Sequence, residues 1–249
     1  MKPTKREEYI NTYHKILDDS VVKIVEYETC KNIVIEFDYG FQIKTTMNAI
    51  KNRNYTHPNK ESVYNKGFLG VGGFDSTKNL FLYDKWSGVL RRCYDNNFKI
   101  KRKTYSACTV DKEWHNFQNF AKWFYENYNP KTMEGWQLDK DILVKGNKHY
   151  SKETCAFVPQ EINTLFIKRD NDRGNCAIGV SYNIRDKNYC ITLPKGKLGI
   201  RNFKTEIEAF QAYKTIKENY IKEVADKWKG LISDEIYDAM YKYEVEITD

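Results

Sequence analysis

The sequence predicts an α+β protein with a small N-terminal β-barrel-like sheet, central helices with a ββα finger, and a C-terminal three-stranded sheet packed on a helix. Three observations predict it. Apolar and polar residues alternate over Val21 to Tyr27 and Asn32 to Phe37. Aromatic side chains recur at helical spacing around Trp86 and again from Trp114 to Phe124. A glycine-punctuated run from Gly135 to Phe166 reads as strand, turn, strand and helix,.

In chain order, the first two strands are joined by a turn at Thr29-Cys30-Lys31-Asn32, and Asp38-Tyr39-Gly40 leads to a third over Phe41 to Thr46. The Asn, Lys and Gly residues that follow, through Gly67-Phe68-Leu69-Gly70-Val71-Gly72-Gly73, read as a linker,. No Gly-Lys-Ser/Thr follows these glycines, so they are turn formers and not a phosphate-binding loop,. A helix is expected from Tyr83 to Tyr94, and another after Asp111, which is placed as an N-cap,. Its aromatic stripe is expected to be core.

Within the finger, Trp136 to Leu143 is the first strand, Lys145 to Lys148 the turn and Cys155 to Val158 the second strand, and Pro159 opens the helix. A hairpin follows, Ile178 to Asn183 and Asn188 to Leu193 around Asp186-Lys187, with a third strand over Lys197 to Phe203. Thr205-Glu206-Ile207-Glu208 is a capping box that starts a long helix, and a last helix starts near Ser233,. The expected organisation is therefore a small β domain (1–60), a linker (61–82), a helical unit with the finger (83–166), a sheet domain (167–230) and a terminal helix (231–249).

Composition narrows the function classes. No run approaches the roughly 18 apolar residues of a membrane span, and the start of the chain lacks the apolar core of a secretory signal, so an intracellular, cytoplasmic protein is expected,. The six cysteines include no Cys-x-x-Cys pair, which argues for reduced thiols and against a zinc knuckle,. The net charge of +7 is concentrated: nine basic residues against three acidic ones lie between Thr164 and Lys204. A local positive field of this kind suits a polyanion; a solvated lysine-rich face is the plain alternative.

Leu138-Asp139-Lys140-Asp141-Ile142-Leu143, Gly146-Asn147-Lys148-His149-Tyr150-Ser151 and Phe157-Val158-Pro159-Gln160-Glu161-Ile162-Asn163 resemble a group of phage proteins labelled HNH or homing endonucleases. Trp86 to Tyr94 and Trp114 to Phe120 belong to the same pattern. The resemblance implies a metal-dependent DNA endonuclease or nickase, working in a phage-infected bacterial host. A ββα-metal nuclease holds one divalent cation, Mg2+ or Mn2+, between strand and helix, and a neighbouring His activates water. On that resemblance Asp139 and Asn163 are the metal ligands. Lys140 falls where the catalytic His belongs, and Cys155 where the loop-bracing Asn belongs.

A lysine near its reference pKa of about 10.4 is protonated at neutral pH and accepts no proton. Three outcomes stay open: Lys140 is a tuned base or phosphate clamp, His149 substitutes for it, or the finger no longer cuts. If it does not cut, the chain is an inactive DNA-binding protein, a regulator or an anti-defence factor. The plain alternative makes Asp139 and Asp141 hairpin-edge charges and Asn163 a helix-surface amide. A protein-binding role for the N-terminal sheet is a further reading.

The order Gly179-Val180, Tyr189, Leu198-Gly199, Phe203, Thr205, Glu208-Ala209 and Ala212-Tyr213 is similar to the ethylene-response-factor type of DNA-binding domain. Such a domain lays a three-stranded sheet in the major groove of double-stranded DNA, with its helix behind. By alternation and charge, the expected contacts are Arg169, Arg173, Tyr182, Arg185, Lys187, Tyr189, Lys195 and Lys197.

Overall fold

The computed structural model describes residues 5–167, 175–192 and 199–249. Short strands β1 (Tyr13–Lys15), β2 (Val21–Thr29), β3 (Asn32–Glu36) and β4 (Gln42–Thr45) form an antiparallel meander in chain order. The sheet is open, not a closed barrel, and β1 is an edge strand beyond the three expected. Val22 and Ile24 point into its core with Ile33 and Ile35. A bulge between Ile24 and Glu26 then shifts the phase, so Tyr27 is buried three positions after Ile24,. Helix α1 (Lys5–Tyr9) packs on β2. Helix α2 (Met47–Lys51) adds Met47 and Ile50 to the core, and the Thr46 hydroxyl caps it by accepting from the Ala49 N–H.

The expected linker is a strap packed on the central unit. Phe68 donates its N–H to the His115 carbonyl, and its own carbonyl accepts from Phe117, both at 2.9 Å. The Gln118 side chain ties the strap further, donating to the Leu69 and Phe74 carbonyls. Val63, Leu69 and Phe74 thereby pack against the central core.

That core is built by α3 (Leu80–Tyr94) and α5 (Phe117–Asn127). Spacings of three and four put Leu82, Trp86, Val89, Leu90 and Cys93 on one side of α3, and Phe117, Phe120, Ala121 and Phe124 on one side of α5,. The aromatic stripe is core, as its spacing predicts. The second helix starts later than the sequence suggests. Asp111 caps only a 3-10 turn over Lys112–His115, because the strap bridges Asn116 and holds it extended before α5 begins.

After the finger, β9 (Val180–Asn183) and β10 (Asn188–Ile191) form the expected hairpin. Of the expected third strand, Lys197 and Leu198 lie outside the described residues, and from Gly199 onward it shows a bridge between Tyr189 and Phe203 and a hydrogen bond from the Ile191 N–H to the Ile200 carbonyl. Helix α7 (Glu206–Trp228) has the capping box read from the sequence, between Thr205 and Glu208. Its first half buries Ala209, Phe210 and Tyr213 against the hairpin, and its second half buries Ile221, Val224 and Ala225 in the central core. At 23 residues it is about 34 Å long at 1.5 Å per residue, so one rigid helix spans the hairpin and the helical unit,. Helix α8 (Asp234–Tyr241), capped by Ser233, returns along it. Among the described residues no helix is long and apolar enough to cross a membrane. All six cysteines are free thiols.

Candidate functional site

The finger consists of β6 (Gln137–Asp139), β8 (Ala156–Val158) and α6 (Gln160–Leu165). The two strands pair antiparallel with Asp139 opposite Ala156, and α6 packs against β6. The first strand is shorter than Trp136 to Leu143. It ends because Asp139 Oδ1 accepts from the N–H groups of Asp141 and Ile142, both at 2.8 Å, which turns the chain,. The loop returns through β7 (His149–Tyr150), which pairs in parallel with β5 (Thr109–Val110) of the helical unit. Phe157 fastens the finger to α5, its ring 5.5 Å from Trp123 and 5.5 Å from Phe124.

Asn147 braces this loop. Its amide donates to the Lys140 carbonyl at 2.7 Å and the His149 carbonyl at 2.6 Å, closing the loop that carries both candidate residues. The sequence reading gave the bracing position to Cys155, whose thiol is buried and pushed up to about 12 by that burial. A Gly-Asn pair reads as a turn former, so the sequence signal for Asn147 was ambiguous.

Lys140 is 8% exposed. Its ammonium lies 3.2 Å from Asp141 Oδ2 and over the Tyr150 ring, 5.9 Å from the centroid. His149 is half-buried, with Nδ1 2.9 Å from the Thr109 hydroxyl. Asn163 lies half-buried on α6, its N–H donating to the Pro159 carbonyl, and its side chain makes no hydrogen bond among the described residues. The fold thus gathers Asp139, Lys140 and His149 around one braced loop and does not tie Asn163 to them.

Burial, and then the neighbouring Asp141 charge, raise the Asp139 carboxyl to about 6. Since its unfolded value is about 3.9, the folded chain binds this proton more tightly, and ionising the group costs stability. That cost is absent below about pH 4 and complete above about pH 6. Asp139→Asn keeps an acceptor oxygen for both N–H groups and removes the charge. It is expected to stabilise the protein by about 3 kcal/mol at neutral pH, at about 1.4 kcal/mol per pKa unit, with the gain fading toward pH 4. Urea denaturation at several pH values checks this; a gain that does not vary with pH would assign the raised carboxyl elsewhere.

The donor set does not fit Mg2+ or Mn2+ as it stands. One Asp139 oxygen is held by two backbone N–H groups, and Asp141 is already paired with a buried ammonium that repels a cation. Among the described residues no group of three or more His, Cys, Asp or Glu side chains is placed to hold a metal.

In the hairpin, register decides which side chains are open. Val180 pairs with Ile191 and Tyr182 with Tyr189, so all four share one face, and the first two are buried under α7. Tyr182 and Tyr189 therefore share the helix-side face, rings 5.0 Å apart, with Tyr189 packed against that core and Tyr182 46% exposed beside it. The face away from α7 carries Ser181, Asn183, Asn188 and Cys190,. No family model matches the chain, and neither a curated protein nor a solved structure matches it.

Cations flank that open face. Arg185 is exposed at the turn and forks onto Asp186 with hydrogen bonds of 2.8 and 3.1 Å. Lys187 is exposed beside it, with left-handed backbone at φ 52°. Arg201 and Lys204 are exposed where the bridged segment meets α7. The first two were expected from the sequence as contacts, the second two only as part of the basic stretch. Arg169, Arg173, Lys195 and Lys197 lie outside the described residues.

Proposed function

We propose that this protein binds double-stranded DNA through its C-terminal hairpin and that the finger supports binding without cutting. The observation that carries the reading is the one-sided hairpin. Helix α7 covers one face and leaves a polar face open, bordered by Arg185, Lys187, Arg201 and Lys204. Cations at the borders of a sheet suit phosphates on either side of a groove, while asparagine and serine side chains on the sheet suit base edges.

The non-cutting part rests on Lys140. A general base needs a free lone pair aimed at water, and the buried Lys140 Nζ is instead committed to Asp141 Oδ2 at 3.2 Å,. The same ammonium supplies positive charge where the resemblance places a cation. In this reading the finger is a fixed lobe beside the hairpin: Glu161 of α6 accepts from Trp228 Nε1 at 3.1 Å and from Lys227, so α6 is anchored to α7.

Two measurements test it together. Purified protein is expected to leave supercoiled plasmid intact in Mg2+ or Mn2+, and to bind labelled duplex DNA with an affinity that falls steeply with salt. Arg185→Ala with Lys187→Ala is expected to weaken binding about tenfold and to lower the salt slope by up to about 2, at about 0.9 per phosphate contact. Nicking that disappears in Asp139→Ala and Asn163→Ala would establish the metal-dependent nuclease instead. Failure to bind duplex DNA at low salt would remove both readings.

A further inference from the structure

A basic lobe next to the finger has no role in the reading above. It comprises α4 (Asn96–Lys101) and a 3-10 turn over Lys103–Tyr105. Lys99, Lys101, Arg102 and Lys103 fall within it, and no acidic residue lies between Asn96 and Cys108. Lys101, Arg102 and Lys103 are exposed, and Ile100 among them is 74% exposed. None of the four cations has an ion-pair partner among the described residues.

The lobe is held firmly from behind. The Phe98 and Tyr105 rings meet at 5.6 Å, with the Arg91 guanidinium over Phe98 at 4.8 Å and that of Arg92 over Tyr105 at 5.8 Å,. The nearest carboxylate in the chain, Asp95, is committed: it caps α4 by accepting from the Phe98 N–H and pairs with Arg91. The lobe also borders the finger. Its chain runs through Cys108 into β5, whose partner is β7 of the finger loop. Burial pushes the Cys108 thiol up and the Asp141 charge adds to that shift, while Lys140 and Lys148 of the loop and Lys99 of the lobe pull against it.

We propose that this lobe is a second contact for double-stranded DNA, gripping the phosphate backbone beside the finger. The proposal rests on the DNA-binding reading above. Lys99 and Lys101 lie on α4, and Arg102 and Lys103 follow at its C-terminal end and at the start of the 3-10 turn, so four cations fall within five consecutive positions. Duplex DNA carries one charge per about 1.7 Å of its axis, so closely spaced cations can meet neighbouring phosphates. Four cations without an ion-pair partner among the described residues stand on an anchored support, which suits a polyanionic backbone,.

The test uses the full chain and a labelled duplex of random sequence, titrated at several salt concentrations. Lys101→Ala/Arg102→Ala/Lys103→Ala changes only exposed side chains, and its thermal transition should match that of the wild type. The expected result is at least tenfold weaker binding and a salt slope lower by about 2.7, for three contacts at about 0.9 each. Lys15→Ala/Lys31→Ala/Lys44→Ala in the N-terminal unit removes the same three charges from exposed positions and should leave the slope in place. A wild-type slope in the triple variant, with binding lost in Arg185→Ala/Lys187→Ala, overturns the lobe and leaves the hairpin reading standing. Absence of duplex binding by the wild type overturns both.

Discussion

Gly179→Ala is expected to destabilise the hairpin against α7 by about 2–5 kcal/mol, adding left-handed backbone strain of about 1–2 kcal/mol to overpacking of about 1–3 kcal/mol. Gly179 has φ +74°, and a Cβ there would fall 2.2 Å from Tyr213 Cε2. Tyr213 is 7% exposed and wedged between helix and hairpin, so the ring has little room to move. Gly179→Asn separates the two effects, because asparagine tolerates left-handed backbone but carries the same Cβ. Similar losses in both variants would show that the ring contact dominates. Thermal denaturation and duplex binding should fall together, since the open face exists only while α7 holds the other. A loss under about 1 kcal/mol in both variants would mean that Tyr213 moves freely and that the packing is looser than its burial implies.

The same contact shows where sequence reading works and where it stops. The Thr205–Glu208 capping box and the Ser233 cap are local rules, satisfied within four residues, and the structure has them where the sequence predicts, whereas the alternation expected in β3 gives way to burial of Ile33, Val34 and Ile35 in succession. Alternation also implies that Tyr182 and Tyr189 share a face. It does not say which face the helix covers; the burial of Val180 and Ile191 decides that, and it puts the tyrosines on the helix side. The strap over Val63 to Phe74 reads as a linker because its glycines look like freedom. In the fold they allow contact: a Cβ on Gly67 would fall 2.2 Å from Leu90 Cδ1.

The candidate site was legible in part for a related reason. The Asp139 turn follows from an aspartate before a loop, a short-range signal. Lys140 burial depends on β7 pairing with β5, forty positions apart in sequence, and no local pattern announces that parallel pair. The basic lobe is not legible in the sequence, because Asp95 and Asp111 flank it and formally offset part of its charge. Lys99 to Lys103 gain significance only once Asp95 is seen committed to its cap and to Arg91.

Trp86→Ala is expected to cost about 4–8 kcal/mol, a large share of the roughly 5–15 kcal/mol that holds a typical domain. Trp86 is fully buried; its ring lies 5.3 Å from Phe117 and 5.7 Å from Tyr83. Removing a buried tryptophan alone costs about 3–5 kcal/mol. Its Nε1 also donates to the Trp114 carbonyl at 2.8 Å, and leaving that carbonyl bare adds about 1–3 kcal/mol,. Trp86→Phe keeps most of the apolar area and loses the donor, so about 1–3 kcal/mol is expected for it. Tryptophan fluorescence reads this unit alone: the five tryptophans are Trp86, Trp114, Trp123, Trp136 and Trp228, and all belong to or pack on the central core. The N-terminal sheet has its own core of Ile24, Ile33, Ile35, Phe37 and Ile50, separate from the central one. The tryptophan transition in urea should therefore move to much lower denaturant, while the N-terminal unit, followed by exchange of its backbone amides, keeps its protection. Loss of both together would mean that the strap joins them into one cooperative unit, and an unmoved tryptophan transition would mean that Trp86 does not support the core that anchors the finger.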